Sequence, residues 1–217
     1  MCGKMRENRR PPLVGITGGM GAGKTQVAHI FTECGAAIID ADQIGHTVLA
    51  DNKEICARIV ERFGEDVRTT HGDINRRQLG ALVFADRQAM EDLNAIMHPV
   101  MIRLIARRVV ELGQSGEYSM IAVDAALLYE AAVEDSFDAI LAVSAPEALR
   151  VQRCMERTGL PEDVILDRLR LQLPESEKVR RADFHLDNSG TPKALQEAAT
   201  NMFHHIQQVC RQEETLS

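Results

Sequence analysis

The chain has 217 residues, 45% of them hydrophobic and 26% charged, with a formal net charge of −7. That length holds one sizeable domain with insertions or two small ones, in an ordinary globular composition. The acidic balance argues against a nucleic-acid partner, no apolar run is long enough for a bilayer span, and the five cysteines (Cys2, Cys34, Cys56, Cys154 and Cys210) form no CxxC pair, as expected for free thiols in a reducing, cytoplasmic setting.

Residues 1–12 are polar and basic with no hydrophobic stretch, which predicts a frayed tail and not a signal peptide. The apolar run 13–17 predicts a strand, and 23–34 a helix with Gly35 in the place of a C-cap glycine. Residues 36–39 read as a short buried strand ending at Asp40-Ala41-Asp42. From 43 to 112 the pattern is helical, with breaks expected at Asp51-Asn52, Gly64, His71-Gly72-Asp73, Asp86 and Pro99. Strands follow over 118–123 and 138–143, then helices over 147–158 and 161–172, a short strand over 184–186, and a closing helix over 191–211.

Strands alternating with helices predict an α/β fold: a parallel sheet of about five strands with helices on both faces. The expected core comprises 13–49, 117–149 and 179–212. Residues 50–116 form a helical insert that is a candidate acceptor-binding domain, and 150–178 a candidate lid. Ligands of such sheets sit beyond the carboxyl ends of the strands.

Between the first strand and its helix lies Gly18-Gly19-Met20-Gly21-Ala22-Gly23-Lys24-Thr25, which has the GxxxxGK[ST] spacing of a phosphate-binding P-loop. Glycines let the backbone wrap an anion closely, and the helix N-terminus aims its N–H groups at it. Lys24 would reach the β/γ-phosphates of a nucleoside triphosphate, and Thr25 would offer its hydroxyl to Mg²⁺. Asp124 ends the strand 118–123 in the layout of a Walker B carboxylate, a further Mg²⁺ ligand, direct or through water.

Asp40 and Asp42 are two apart after the second strand, so both carboxylates can face the loop, where one would accept the proton of an alcohol acceptor. A helix N-cap at Asp42 is the competing reading. Arg150, Arg153 and Arg157 share one helix face. They suit either a solvated surface helix or a lid that neutralises developing phosphate charge. His46 and His98, taken singly, read as core or capping histidines, with His98-Pro99 between two helices.

These pieces together resemble the dephospho-CoA kinase family over almost everything from residue 13 to 190. The P-loop alone is generic. More specific are Ile39-Asp40-Ala41-Asp42, the run 73–84, Leu93-Asn94-Ala95-Ile96-Met97-His98-Pro99, the lid-like 153–157 and 168–172, and Ala182-Asp183 through Asn188-Ser189-Gly190. The resemblance implies transfer of the ATP γ-phosphate to the ribose 3′-hydroxyl of dephospho-CoA with Mg²⁺. It implies Asp42 as the activating carboxylate with Asp40 in support, and Arg153 and Arg157 as phosphate clamps. Arg76 and His98 would hold the acceptor, and Asn188 to Gly190 would lie against adenine. A monomer or weak homo-oligomer is expected. Where the family reads Pro-Leu-Leu-Phe-Glu, this chain has Ala126-Leu127-Leu128-Tyr129-Glu130, which removes a rigid turn; Ala22 replaces a commoner Ser. A P-loop kinase for another small alcohol keeps the same Lys24, Thr25 and carboxylates. A guanine-nucleotide switch lacks its base-reading motif here, since Asn52-Lys53-Glu54-Ile55 fails at its last position.

Overall fold

The computed structural model describes residues 10–216, with side chains to residue 212. The tail expected over 1–12 lies outside the described residues as far as residue 9. The sheet is built from β1 (Leu13–Thr17), β2 (Ala36–Asp40), β3 (Met120–Asp124), β4 (Ala139–Ser144) and β5 (Phe184–Asp187) in the order β2-β3-β1-β4-β5, all parallel.

Alternation along the strands divides the core into two layers. Val14, Ile16, Met120, Ala122, Leu141 and Val143 face α1 (Lys24–Glu33) and α9 (Pro192–Leu216), where Phe31 and Phe203 meet edge to face with ring centroids 5.3 Å apart. The alternate residues Leu13, Ile121 and Val123 pack with Ala37, Ile39 and Leu112 on the other face. Along α9, Leu195, Ala199, Phe203, Ile206 and Cys210 recur at helical spacing and are all buried.

The helical stretch after β2 comprises α2 (Ala41–Asp51), α3 (Lys53–Phe63), α4 (Arg76–Ala85) and α5 (Arg87–Ser115), which enclose their own cluster of Val48, Ile55, Ile59, Leu79, Val83, Ile96 and Met97. Side chains of Asp40, Asn52, Asn75 and Asp86 accept the N-terminal amides of these four helices in turn. The expected break at Pro99 is corrected: Pro99 lies inside α5, and His98 is therefore mid-helix. The missing N–H costs a helix interior about 3 kcal/mol. Burial of Ile96 and Met97 before it, and packing of Val100 and Met101 after it, hold both halves on the same cluster.

After β4 come α6 (Glu147–Thr158) and α7 (Glu162–Arg170), which close a small cluster of Val151, Cys154 and Ile165 over Met20. A further helix, α8 (Glu175–Arg181), precedes β5 and has no counterpart among the expected elements. Its ESEKVRR sequence carries almost no apolar period. Its signals are Pro174 before the first turn, acids at the start and bases at the end. Among the described residues no helix is long and apolar enough to cross a membrane.

Candidate phosphoryl-transfer site

β1 runs straight into the loop 18–25, where Gly18, Gly21 and Gly23 all have positive φ and no room for a Cβ. Gly18 has φ 146°, and a Cβ there would lie 2.1 Å from the Val143 carbonyl oxygen. Gly23 has φ 98° at the entry to α1, and a Cβ would meet Asn188 Nδ2 at 2.1 Å. That amide fills the space of the missing side chain and donates to the Ala22 carbonyl at 2.9 Å. Asn188 is buried, its own N–H donates to Ser144 O at 2.7 Å, and its carbonyl accepts from Arg153 Nη2 at 3.1 Å. The residue expected against adenine is thus also a brace between β4, the loop and α6. Gly190 is exposed two residues on.

Lys24 Nζ donates to the Gly18 and Gly19 carbonyls at 3.1 and 3.3 Å. Burial lowers its pKa below the ordinary lysine value, opposed by Asp124 and Asp42. Thr25 donates its hydroxyl to Asp124 Oδ2 at 3.1 Å. Burial pushes the Asp124 carboxyl up, Lys24 and the Thr25 hydroxyl pull it back, and Asp40 and Asp42 push it further up. The N–H of Met20, one of the amides a phosphate would take, donates to Gln172 Oε1 at 3.1 Å.

The N-cap weighed for Asp42 is corrected: it falls on Asp40, because α2 begins at Ala41. Asp40, opposite Asp124 in the sheet register, accepts the Gln43 N–H at 2.9 Å and is the N-cap of α2. Asp42 stands in the first turn of α2 with its side chain exposed. It lines a cleft of about 780 Å³ together with Gly21, Gly23, Lys24, Thr25, Asp124, Glu130, Arg153, Arg157 and Arg168. It also lines a second cavity of about 460 Å³, walled by apolar residues of α5 and of the segment after β3, with His98 and Asn94 among them. Burial lowers the His98 pKa, against the pull of Glu130. Arg76 is exposed, contacts His46, and belongs to the lining of neither cavity.

The arginines of α6 separate by position. Arg153 and Arg157 line the cleft, and Arg153 Nη1 is buried without a hydrogen-bond partner. Arg150 turns inward, its guanidinium against Gly19 and paired with Glu175 at 3.5 Å. Burial raises the Glu175 carboxyl, opposed by Arg150 and by the N–H groups of Ala145 and Gly19.

A second support escaped sequence reasoning. Lys178 is fully buried, donates to the Ala126 carbonyl at 2.5 Å and pairs with Glu130 at 2.9 Å. Glu130 also accepts the Leu173 N–H at 2.9 Å. The segment 126–130, where the family's proline is missing, is therefore tied to α8 by a charge-assisted network. The one sequence signal was a lysine in an otherwise solvated run, which gives no hint of burial.

The sequence profile of the family described as dephospho-CoA kinase matches residues 12–194. A dephospho-CoA kinase of Carboxydothermus hydrogenoformans is 38% identical over 186 residues, covering 86% of this chain and 90% of that one. Among solved structures, TT1252 from Thermus thermophilus superposes with a TM-score of 0.76 at 31% identity, covering 89% of this chain and 96% of that one. Dephospho-CoA kinase from Campylobacter jejuni does so at 0.66 and 23% identity, over 90% and 97% of the two chains, and at that identity shows the shared fold.

Proposed function

The chain belongs to the dephospho-CoA kinase family, and we propose that its two cavities are the donor and acceptor halves of one active site, joined at Asp42. It transfers the γ-phosphoryl group of ATP to the ribose 3′-hydroxyl of dephospho-CoA. The carrying observation is that Asp42 lines the P-loop cleft and the apolar cavity at once.

ATP lies along the loop 18–25, its phosphates taking the amides and the Lys24 ammonium away from the loop's own carbonyls. Arg153 and Arg157 approach from the lid, 150–178. The acceptor enters from the insert, 50–116, with its 3′-hydroxyl toward Asp42. The rest of the molecule runs past His98 and Asn94 into the apolar cavity. An apolar wall contributes binding by removing acceptor surface from water, and so fixes the hydroxyl in place.

Asp42 accepts the proton of the attacking hydroxyl, and the cations of the cleft stabilise charge on the transferred group. Thr25 and Asp124 are hard oxygen donors side by side, a set that fits Mg²⁺ shared with substrate phosphates. Bound there, the ion would neutralise charge on the β- and γ-oxygens. Reduced thiols at Cys34, Cys56 and Cys154 suit the cytoplasm.

The test is ATP with dephospho-CoA, scored by mass spectrometry for CoA and ADP. Equimolar CoA and ADP is expected. ATP hydrolysis with no phosphorylated acceptor, or preference for an unrelated alcohol, would overturn the assignment.

A further inference from the structure

Arg168 and Arg170 both lie in the last turn of α7 and have opposite surroundings. Arg170 is exposed and paired with Asp167 at 2.8 Å. Arg168 lines the P-loop cleft, has no carboxylate partner among the described residues, and has its Nε buried without a hydrogen-bond acceptor. Its guanidinium carbon stands 4.3 Å from the centroid of the Phe84 ring.

Phe84 comes from the other side of the cleft. It is the penultimate residue of α4, whose opposite face is anchored in the insert by buried Leu79 and Val83. The ring is half-buried and lines the same cleft. Arg168 in turn is anchored through Ile165, one turn back and buried against α6.

From this the geometry points to Phe84 as a positioning residue: its ring holds Arg168 aimed at the transferred phosphate and so links the acceptor-binding insert to the lid. The inference rests on the reading of this cleft as the transfer site. A carboxylate would orient an arginine equally well, but it would neutralise the charge and occupy the N–H donors. An aromatic face attracts the cation through its quadrupole and leaves the planar donor edge open. The arginine is held charged, oriented and unspent for an anion that arrives with ATP. Because the ring belongs to the insert, the lid cation is correctly placed only while α4 is in position, which ties readiness for transfer to the domain that receives the acceptor.

The experiment is a double-mutant cycle on the full chain with ATP and dephospho-CoA, using Phe84→Leu, Phe84→Tyr, Arg168→Gln and the Phe84→Leu/Arg168→Gln pair, with thermal melting of each. Phe84→Leu is expected to lower kcat about three- to tenfold with little change in the KM for dephospho-CoA. Phe84→Tyr, which keeps the ring face, should stay near wild type. The double variant should be no slower than Arg168→Gln alone, since the ring acts through the arginine. Losses that multiply in the double variant would overturn the link. So would a Phe84→Leu effect confined to the KM for dephospho-CoA, or a Phe84→Tyr variant as slow as Phe84→Leu. The cleft reading itself fails by a different sign, full turnover in Lys24→Ala.

Discussion

Thr25 and Asp124 come from different strand–helix units, ninety-nine residues apart, yet the threonine hydroxyl donates to the carboxylate across 3.1 Å. The parallel pairing of β1 with β3 brings them together, since Ile16 lies opposite Asp124 at the carboxyl edge of the sheet. The cleft is thus assembled at strand ends, with one strand supplying the loop and its neighbour the acid.

Asp124 has a measurable consequence for pH. Its burial raises the carboxyl pKa in the folded chain, so the folded state binds protons more tightly than the unfolded state. Stability contributed at this site falls as pH rises from the ordinary aspartate range through the raised value, and the cost is fully present above it. Asp124→Asn should therefore melt no lower than wild type at pH 7 without nucleotide, while losing most of its kinase activity. Melting curves and a kinase assay at pH 7 check both; a variant that melts lower than wild type contradicts the account.

Asn188 braces the P-loop through one amide donor to the Ala22 carbonyl. Asn188→Ala leaves that carbonyl unpartnered and opens space beside Gly23. Its KM for ATP should rise about five- to tenfold, the scale of one buried hydrogen bond left unmade. The KM for dephospho-CoA should move little. Steady-state kinetics in both substrates is the check, and an unchanged KM for ATP would remove the brace from the argument.

Lys178 is a buried cation held by Glu130 and the Ala126 carbonyl. Lys178→Met strands the Glu130 carboxylate in the same pocket. Breaking a buried pair from one side costs about 3–5 kcal/mol, which for a chain of this size lowers Tm by roughly 10 °C. Adding Glu130→Gln should recover part of the loss. Calorimetry of the two variants tests this, with an unchanged Tm for Lys178→Met as the contrary result.

Much of this architecture was legible from the residues. The loop 18–25 and the carboxylates after it stand out because glycine and charge at strand ends are local signals. Four of the five strands were readable because each is a short apolar run ended by a polar residue, and β5 because Phe184 and Leu186 alternate with His185 and Asp187. Pro99 misled because its local cost is real, while the packing of Met97 and Met101 that overrides it is tertiary. The short helix at 175–181 was invisible for the converse reason: its one decisive residue, Lys178, is stabilised by partners about fifty positions away. Arg150, Arg153 and Arg157 look alike in a helical repeat, and only burial separates the one that supports Gly19 from the two that face the cleft.

The shared position of Asp42 between two cavities is the centre of the account, and single-turnover kinetics of Asp42→Asn tests it most directly. With ATP and dephospho-CoA both saturating, the rate of phosphoryl transfer should fall about 10²- to 10⁴-fold, the range for loss of a positioned proton acceptor, while the Kd for ATP stays at its wild-type value. A transfer rate at the wild-type level would remove Asp42 from the reaction and separate the two cavities.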